Sequence, residues 1–303
     1  MAASALLHLA VLLLLPPLLL GVTNRTKSWF SGRRGPPLFQ GYADLSRLLR
    51  KGLVRSGTTG PVFLAGPVAA LAGALAAGLL VPLGPAPLFG FPGDAVAAVY
   101  LLALGRFFTA AAALDTGSAF EGMGAAREVS FACLAEPVVF LAFLCLARLS
   151  GDLTLGAMLS PEHLAPAWAS AGPSLALLAA SLFVVLLAEG CRIPFDDPNT
   201  HLELTMIHEV MVLDHSGPLF GAVLYGAAVK FLVLGAILVR LAVPAATGSP
   251  WLDQAVFAAG LLALAAGVGV VESVMARLRL AHVPTLLTAA GVLASFAFLL
   301  LLR

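Results

Sequence analysis

The chain has 303 residues, of which 60% are hydrophobic and only 11% charged, against about 25% charged in an ordinary soluble domain. That composition, with a mean hydropathy of +0.99, excludes a water-soluble globular protein. A net charge of +1 and three cysteines without a CxxC pair point to no nucleic-acid partner and to no iron–sulfur cluster held by this chain, whose thiolate ligands are missing.

A bilayer core about 30 Å thick takes roughly 20 apolar residues per helix. Eight such runs follow one another, at 2–22, 61–81, 95–114, 128–147, 172–188, 218–243, 253–274 and 284–302. Backbone amides in lipid must pair within their own segment, and the runs are too long for barrel strands. The expected fold is therefore an all-α integral membrane protein, a bundle of eight transmembrane helices forming one polytopic domain over 1–303.

The first run resembles a secretory signal in length, but its leading residues, MAASA, carry no positive charge, whereas Arg25, Lys27, Arg33 and Arg34 follow it. It is read as a retained helix. Alternate loops are unequal in charge: eight Lys or Arg lie in 23–60, and Arg127, Arg192, Arg277 and Arg279 lie on the same side. The other side holds Arg148, Arg240 and Arg303. By the positive-inside rule the rich side is cytoplasmic and both termini face outward, which expects a multi-pass protein of the cell inner membrane.

The first cytoplasmic loop contains FQGYADLSRLLRKGLVR, where Phe39, Tyr42, Leu45, Leu49 and Leu53 recur near helical spacing and Arg47, Arg50, Lys51 and Arg55 spread over the other face. This expects an amphipathic helix lying at the headgroup boundary, with its cations near anionic lipid. The competing reading is that its exposed face docks a soluble partner. The outer loops 82–94, 149–171 and 244–252 are Pro/Gly-rich and read as turns, and no internal repeat of the kind found in inverted-repeat transporters is visible.

Three ionisable residues fall near the middle of spans: Arg106, Glu136 and Lys230. A charge there costs about 2.5–3.5 kcal/mol even on lenient insertion scales, so each is expected to face the bundle interior. One reading is an ion pair of Glu136 with Lys230 or Arg106 that sets helix register. The other, favoured because intramembrane carboxylates are functional by default, is a proton relay through Glu136. Asp115, Glu121, Glu128, Glu189 and Glu272 stand at cytoplasmic helix ends. Singly each reads as a solvated charge, and together as an acidic mouth leading to Glu136.

The fifth run is followed by EGCRIPFDDPNTHLELTMIHE, residues 189–209. Pro194 pushes Ile193 out of helical geometry, so Arg192 and Asp196 are expected to brace a loop. Thr200 and Glu203 form a capping box, opening an expected helix from 200 to about 214. On it His201, His208 and His215, seven apart, share one face. Each pair is about 10 Å apart along the axis, and HEVMVLDH is not the HExxH pattern, so a metal site from these histidines alone is not expected. Proton transfer along the histidines beside Glu203 and Glu209, or polar packing against another subunit, are equally weighted readings.

The 189–209 stretch resembles the loop between the fifth and sixth helices of the complex I subunit 1 family, with its E-x-x-R-x-P-F-D core. Its continuation looks like that of the membrane subunit in formate-hydrogenlyase-type (group 4 nickel–iron) hydrogenases. GAAREVSFACLAEP, with Arg127 nine residues before Glu136, resembles the family's fourth helix, and LSRLLRKG and the eight-helix count also agree. The resemblance implies a non-catalytic membrane anchor at the elbow of an oxidoreductase complex, docking a soluble redox arm through 23–60 and 189–217. It implies an acidic proton path, and assigns Glu136, Glu189, Glu203 and Glu209 to it; Arg106, Glu128 and Lys230 join them as candidates from their positions. Arg192, Asp196, His201 and His208 are the candidates for the loop brace and subunit contact.

The nickel–iron centre and iron–sulfur clusters would then sit in partners: a hydrogenase-like large subunit, an iron–sulfur small subunit and antiporter-like membrane subunits. Asn199, His201 and His208, where quinone-reducing relatives usually carry more acids, and Lys230, where they carry a carboxylate, favour the hydrogenase-like reading. The alternatives are a quinone-site subunit of a complex I-like NADH dehydrogenase and a stand-alone proton-coupled transporter using Glu136 and Lys230.

Overall fold

The computed structural model describes residues 2–196 and 206–302, and every regular element among the described residues is helical. In chain order these are α1 (Ala2–Phe30), α2 (Gln40–Leu49), α3 (Pro61–Leu80), α4 (Asp94–Asp115), α5 (Ala119–Ser150), α6 (Leu155–Met158), α7 (Pro161–Glu189), α8 (Gly217–Ala242), α9 (Pro250–Val274) and α10 (Val283–Leu301), with short 3-10 turns at Glu209–Val212 and Leu280–His282. Eight of the helices are long and apolar enough to cross a bilayer, and they coincide with the eight runs of the sequence. The Thr200–Glu203 capping box and His201 lie outside the described residues.

Three boundaries differ from expectation. Helix α1 continues past residue 22 to Phe30, because residues 23–30 hold no Gly or Pro, and the Thr23 hydroxyl, instead of reaching solvent, donates to the Leu19 and Ala265 carbonyls. The segment 149–171 is not a plain turn: it contains α6 and the start of α7, which opens with Pro161 at a first-turn position, where a missing N–H costs nothing. A kink at Ala171 (φ −129°, ψ 28°), between Pro166 and Pro173, separates that outer turn from the spanning part. The described part of 200–214 is not an α-helix; its reason emerges with the loop described below.

The packing follows small residues. α3 lies against α4 and α8, α1 against α9, and α7 and α5 against α10. At Gly105 a Cβ would stand 3.0 Å from the Ala70 Cα, and at Gly226 3.4 Å from the Leu71 Cα. Both α4 and α8 therefore approach α3 with backbone against backbone, the usual device where lipid supplies no hydrophobic drive between helices. Gly105 precedes Arg106, and Gly226 lies one turn before Lys230, so these close approaches also set where the two cations stand. Helix α2 packs on α8 and α1, and its Tyr42 hydroxyl donates to the Leu14 carbonyl.

Helix and loop ends are closed by side chains from distant segments. Asp115 at the end of α4 accepts the Gly60 and Phe63 amides at 2.6 and 3.1 Å, which places a carboxylate at the α3 N-terminus, where orphan donors and the dipole favour it. On the opposite face Arg240 is buried. It donates to the Pro82 and Gly84 carbonyls at 3.2 and 2.7 Å and stands 4.1 Å from the Phe257 ring centre, while Gln254 donates to Leu83 at 2.9 Å. The 82–84 turn thus has its carbonyls satisfied by α8 and α9. Replacing Arg240 by Met strands two of them at a cost of about 1.5–3 kcal/mol each, the range for bonds to charged groups. Its Tm in detergent is expected to fall clearly, and further than that of Gln254→Leu; equal Tm for Arg240→Met and the parent protein would contradict this account.

Candidate functional site

The three mid-span charges meet in one cluster. Arg106 on α4 is 8% exposed in its side chain; its Nη1 lies 2.8 Å from Glu136 Oε1 on α5 and its Nη2 3.1 Å from the Glu189 carboxylate at the end of α7. Its Nε faces Glu128 at 3.7 Å. Lys230 on α8 reaches Glu189 at 2.7 Å. Glu136 therefore pairs with Arg106, while Lys230 takes Glu189. Three carboxyl groups stand against two fixed cations, and His208 Nδ1, 3.7 Å from Glu128, supplies a third positive charge when protonated.

Of the five helix-end carboxylates, only Glu128 and Glu189 join Glu136. Asp115 caps α3, Glu121 accepts the Asp214 amide at 3.1 Å, and Glu272 is held by Lys27 at 2.8 Å and Arg192 at 3.4 Å. The expected Arg192–Asp196 brace is corrected: Arg192 turns to Glu272 and the Phe231 ring, and Asp196 pairs with Arg277 at 2.8 Å. The loop is still braced, but from α9 and the segment behind it, which lie some 80 residues away in sequence.

Asp196 also explains why 206–214 does not become a helix. Its Oδ2 accepts the Ile207 and His208 amides at 3.0 and 2.9 Å, and Arg127 donates to the Met206 carbonyl at 2.8 Å. Backbone groups that an α-helix would pair locally are taken by these side chains, leaving only the 3-10 turn Glu209–Val212. The shared histidine face is corrected with it: His208 turns to Glu128, and His215 stacks on Phe63 with ring centres 4.1 Å apart. Glu209 begins that turn and lines the cavity described next.

A cavity of about 420 Å³ connects these groups. Its wall runs from Leu20, Gly41 and Leu45 on α1 and α2 to Arg106, Glu189 and Lys230. Cys191, Arg192, His208 and Glu209 line it as well. Two water-sized cavities of about 20 and 30 Å³ flank the ion cluster, one beside Glu128 and Glu189, the other beside Arg106 and Glu136. Such volumes hold about one water each where polar partners are present. Nothing in the sequence spacing pointed to the cavity, to Lys27 and Arg277 as ion partners, or to Cys191 beside His208, since each joins segments far apart in the chain.

An NADH dehydrogenase family model matches residues 3–303. The chain belongs to the NADH dehydrogenase family. Within it the chain is of the complex I subunit 1 type. It is 33% identical over 242 residues to hydrogenase-4 component C of Escherichia coli, covering 79% of this chain and 75% of that one. It is 31% identical over 313 residues to formate hydrogenlyase subunit 4 of the same organism, covering 98% and 97%. To an NADH-quinone oxidoreductase subunit of Anaplasma phagocytophilum it is 29% identical over 219 residues, covering 67% and 63%. Its fold is similar to a chain in the membrane-bound sulfane sulfur reductase, an archaeal respiratory membrane complex, with a TM-score of 0.80, 17% identity, and 97% and 99% of the chains covered. With eight spanning helices, this member of the family is a multi-pass membrane protein.

His208 lies outside the spanning helices, in the segment that joins two of them, and its surroundings set a pH dependence. Burial opposes its imidazolium, but Cys191 and the Glu128 carboxylate outweigh burial and hold its pKa well above the ordinary value. A folded-state pKa raised in this way contributes stability fully below about pH 6.5, and the contribution is lost as pH rises through the folded value. The Tm in detergent is therefore expected to decline as pH rises above neutrality, and His208→Gln to flatten that decline. Parallel Tm–pH curves for the two proteins would refute the assignment.

Proposed function

We propose that this protein is the membrane anchor and proton-path subunit of a formate-hydrogenlyase-like hydrogenase complex of the cell inner membrane. The observation that carries the reading is the connected set of ionisable groups His208, Glu128, Arg106, Glu136, Glu189 and Lys230, which borders the large cavity and includes the three mid-span charges of α4, α5 and α8. The near full-length similarity to formate hydrogenlyase subunit 4 supports it. In this reading the nickel–iron centre and iron–sulfur clusters are carried by partner subunits. The 23–60 and 189–217 loops dock that soluble arm on the positively charged, cytoplasmic side, and both termini face outward.

Chemically the cluster suits proton transfer better than charge storage. Glu189 is held between two cations, Glu136 is bound by only one, and Glu128 is balanced partly by a histidine whose charge is variable. A proton arriving at Glu128 or His208 shifts the demand on Arg106, which touches all three carboxyls, so the groups respond as one unit. Electron flow in the docked arm would couple by changing the contact of His208 with Glu128.

The cavity favours a second reading as a quinone-site subunit. Its volume, about 420 Å³, falls in the range for small-molecule sites, and the similarity to an NADH-quinone oxidoreductase subunit agrees with it. Lys230, Arg106 and His208 would then offer donors to a headgroup. Quinone-dependent turnover blocked by a headgroup-site inhibitor would select this reading.

Glu136→Gln keeps the size and one acceptor of the side chain but removes its charge. In the intact complex it is expected to leave assembly and soluble hydrogenase activity unchanged, while abolishing the substrate-driven pH gradient in inverted membrane vesicles, read by a pH-sensitive dye. A gradient equal to that of the parent protein would reduce Glu136 to a structural partner of Arg106.

A further inference from the structure

The backbone just before the Glu209–Val212 turn is held at three consecutive residues by side chains from elsewhere in the chain. Arg127 on α5 donates to the Met206 carbonyl at 2.8 Å, and Asp196 Oδ2 accepts the Ile207 and His208 amides at 3.0 and 2.9 Å. The other Asp196 oxygen takes Arg277 Nη2 at 2.8 Å. A carboxylate engaged through both oxygens has its plane set by its partners, so Arg277 decides where Asp196 offers its second oxygen. Arg127 directly precedes Glu128 on α5.

What these contacts place is an imidazole. His208 meets Cys191 on the loop after α7, and its Nδ1 lies 3.7 Å from Glu128 Oε2. Behind Glu128 stands Arg106 on α4, at 3.7 Å, and Lys230 on α8 joins through Glu189. Glu209 follows His208 on its own segment, and Asp196 holds its amide. At 3.7 Å the pair with Glu128 is not a short hydrogen bond. The position of the backbone therefore decides whether the contact exists.

We infer that Asp196, Arg277 and Arg127 are positioning residues for His208: they clamp the backbone at 206–208 so that the imidazole reaches Cys191 and Glu128. The clamp draws on α5, the loop after α7 and the segment before α10, so three distant parts of the chain converge on one histidine. This arrangement deepens the proton-path reading, on which its purpose rests, by naming what sets His208 against Glu128.

A clamp and a bare charge act in opposite directions. Removing a cation near a histidine raises its proton affinity, because the imidazolium loses a like-charged neighbour. Removing a cation that clamps the segment lowers it, because the imidazole leaves the carboxylate that favours its charged form.

The test follows His208 by nuclear magnetic resonance as pH is varied, in the full-length chain in detergent with isotope-labelled histidine, its signal identified by its loss in His208→Gln. Arg277→Gln and Arg127→Gln are each expected to lower the His208 midpoint by about one pH unit, a roughly tenfold loss of proton affinity. Arg277→Lys keeps a charged donor for Asp196 and is expected to restore most of it. A folded glutamine variant whose midpoint is unchanged or raised would overturn the inference, the burial of Met206 and Ile207 then holding the segment without a clamp. The measurement stands apart from proton movement: a lowered midpoint supports the clamp even where His208→Gln leaves the substrate-driven gradient of the complex intact, a result that would instead remove His208 from the proton path.

Discussion

The guanidinium of Arg106 is the constraint around which the rest of the bundle is organised. One buried cation in the membrane interior is intolerable alone, and here it is met by carboxyls from α5 and α7, while α8 contributes Lys230 to the shared Glu189. Removing Arg106 itself costs about 3–5 kcal/mol, because it leaves buried carboxylates uncompensated. The planar fork of Arg106 donates to two carboxylates at once and faces a third at 3.7 Å, as a Lys ammonium on a flexible stem would not. Arg106 thus binds α4 to α5 and α7, and the shared Glu189 carries the connection on to α8 through Lys230, while the close approach of α4 to α3 at Gly105 sets where Arg106 stands.

A second layer of ions sits nearer the positively charged side of the protein. Lys27, Glu272 and Arg192 tie α1 to α9 and to the loop after α7, and Asp196 with Arg277 ties the far end of that loop to the segment before α10. These contacts hold Cys191 and His208 at the wall of the cavity and against Glu128. Among the described residues of this loop, the amides at 207 and 208 are held by the single Asp196 carboxylate.

Membrane subunits with hydrogenase and with quinone oxidoreductase names are both similar in sequence to this chain. The ion cluster and the cavity share Arg106, Glu189 and Lys230 as a common wall.

The number, order and approximate limits of the spanning helices were determined by the sequence alone, because lipid demands about 20 apolar residues per helix and the chain obeys that rule eight times. So was the need of Arg106, Glu136 and Lys230 for partners of opposite charge, since mid-span charge has a cost that must be offset. The pairing among them was not legible. Whether Glu136 meets Arg106 or Lys230 depends on helix rotation and on glycines that let α4 and α8 approach α3, and neither is written in local spacing. The 206–214 segment shows the same limit from the other side: its pattern is helical, yet Asp196 and Arg127 take its backbone groups and leave it a 3-10 turn. The brace of the 189–196 loop, the cavity and the pairing of Glu136 with Arg106 all join segments tens of residues apart, so only the tertiary structure decided them, through long-range electrostatics and packing that no periodicity records.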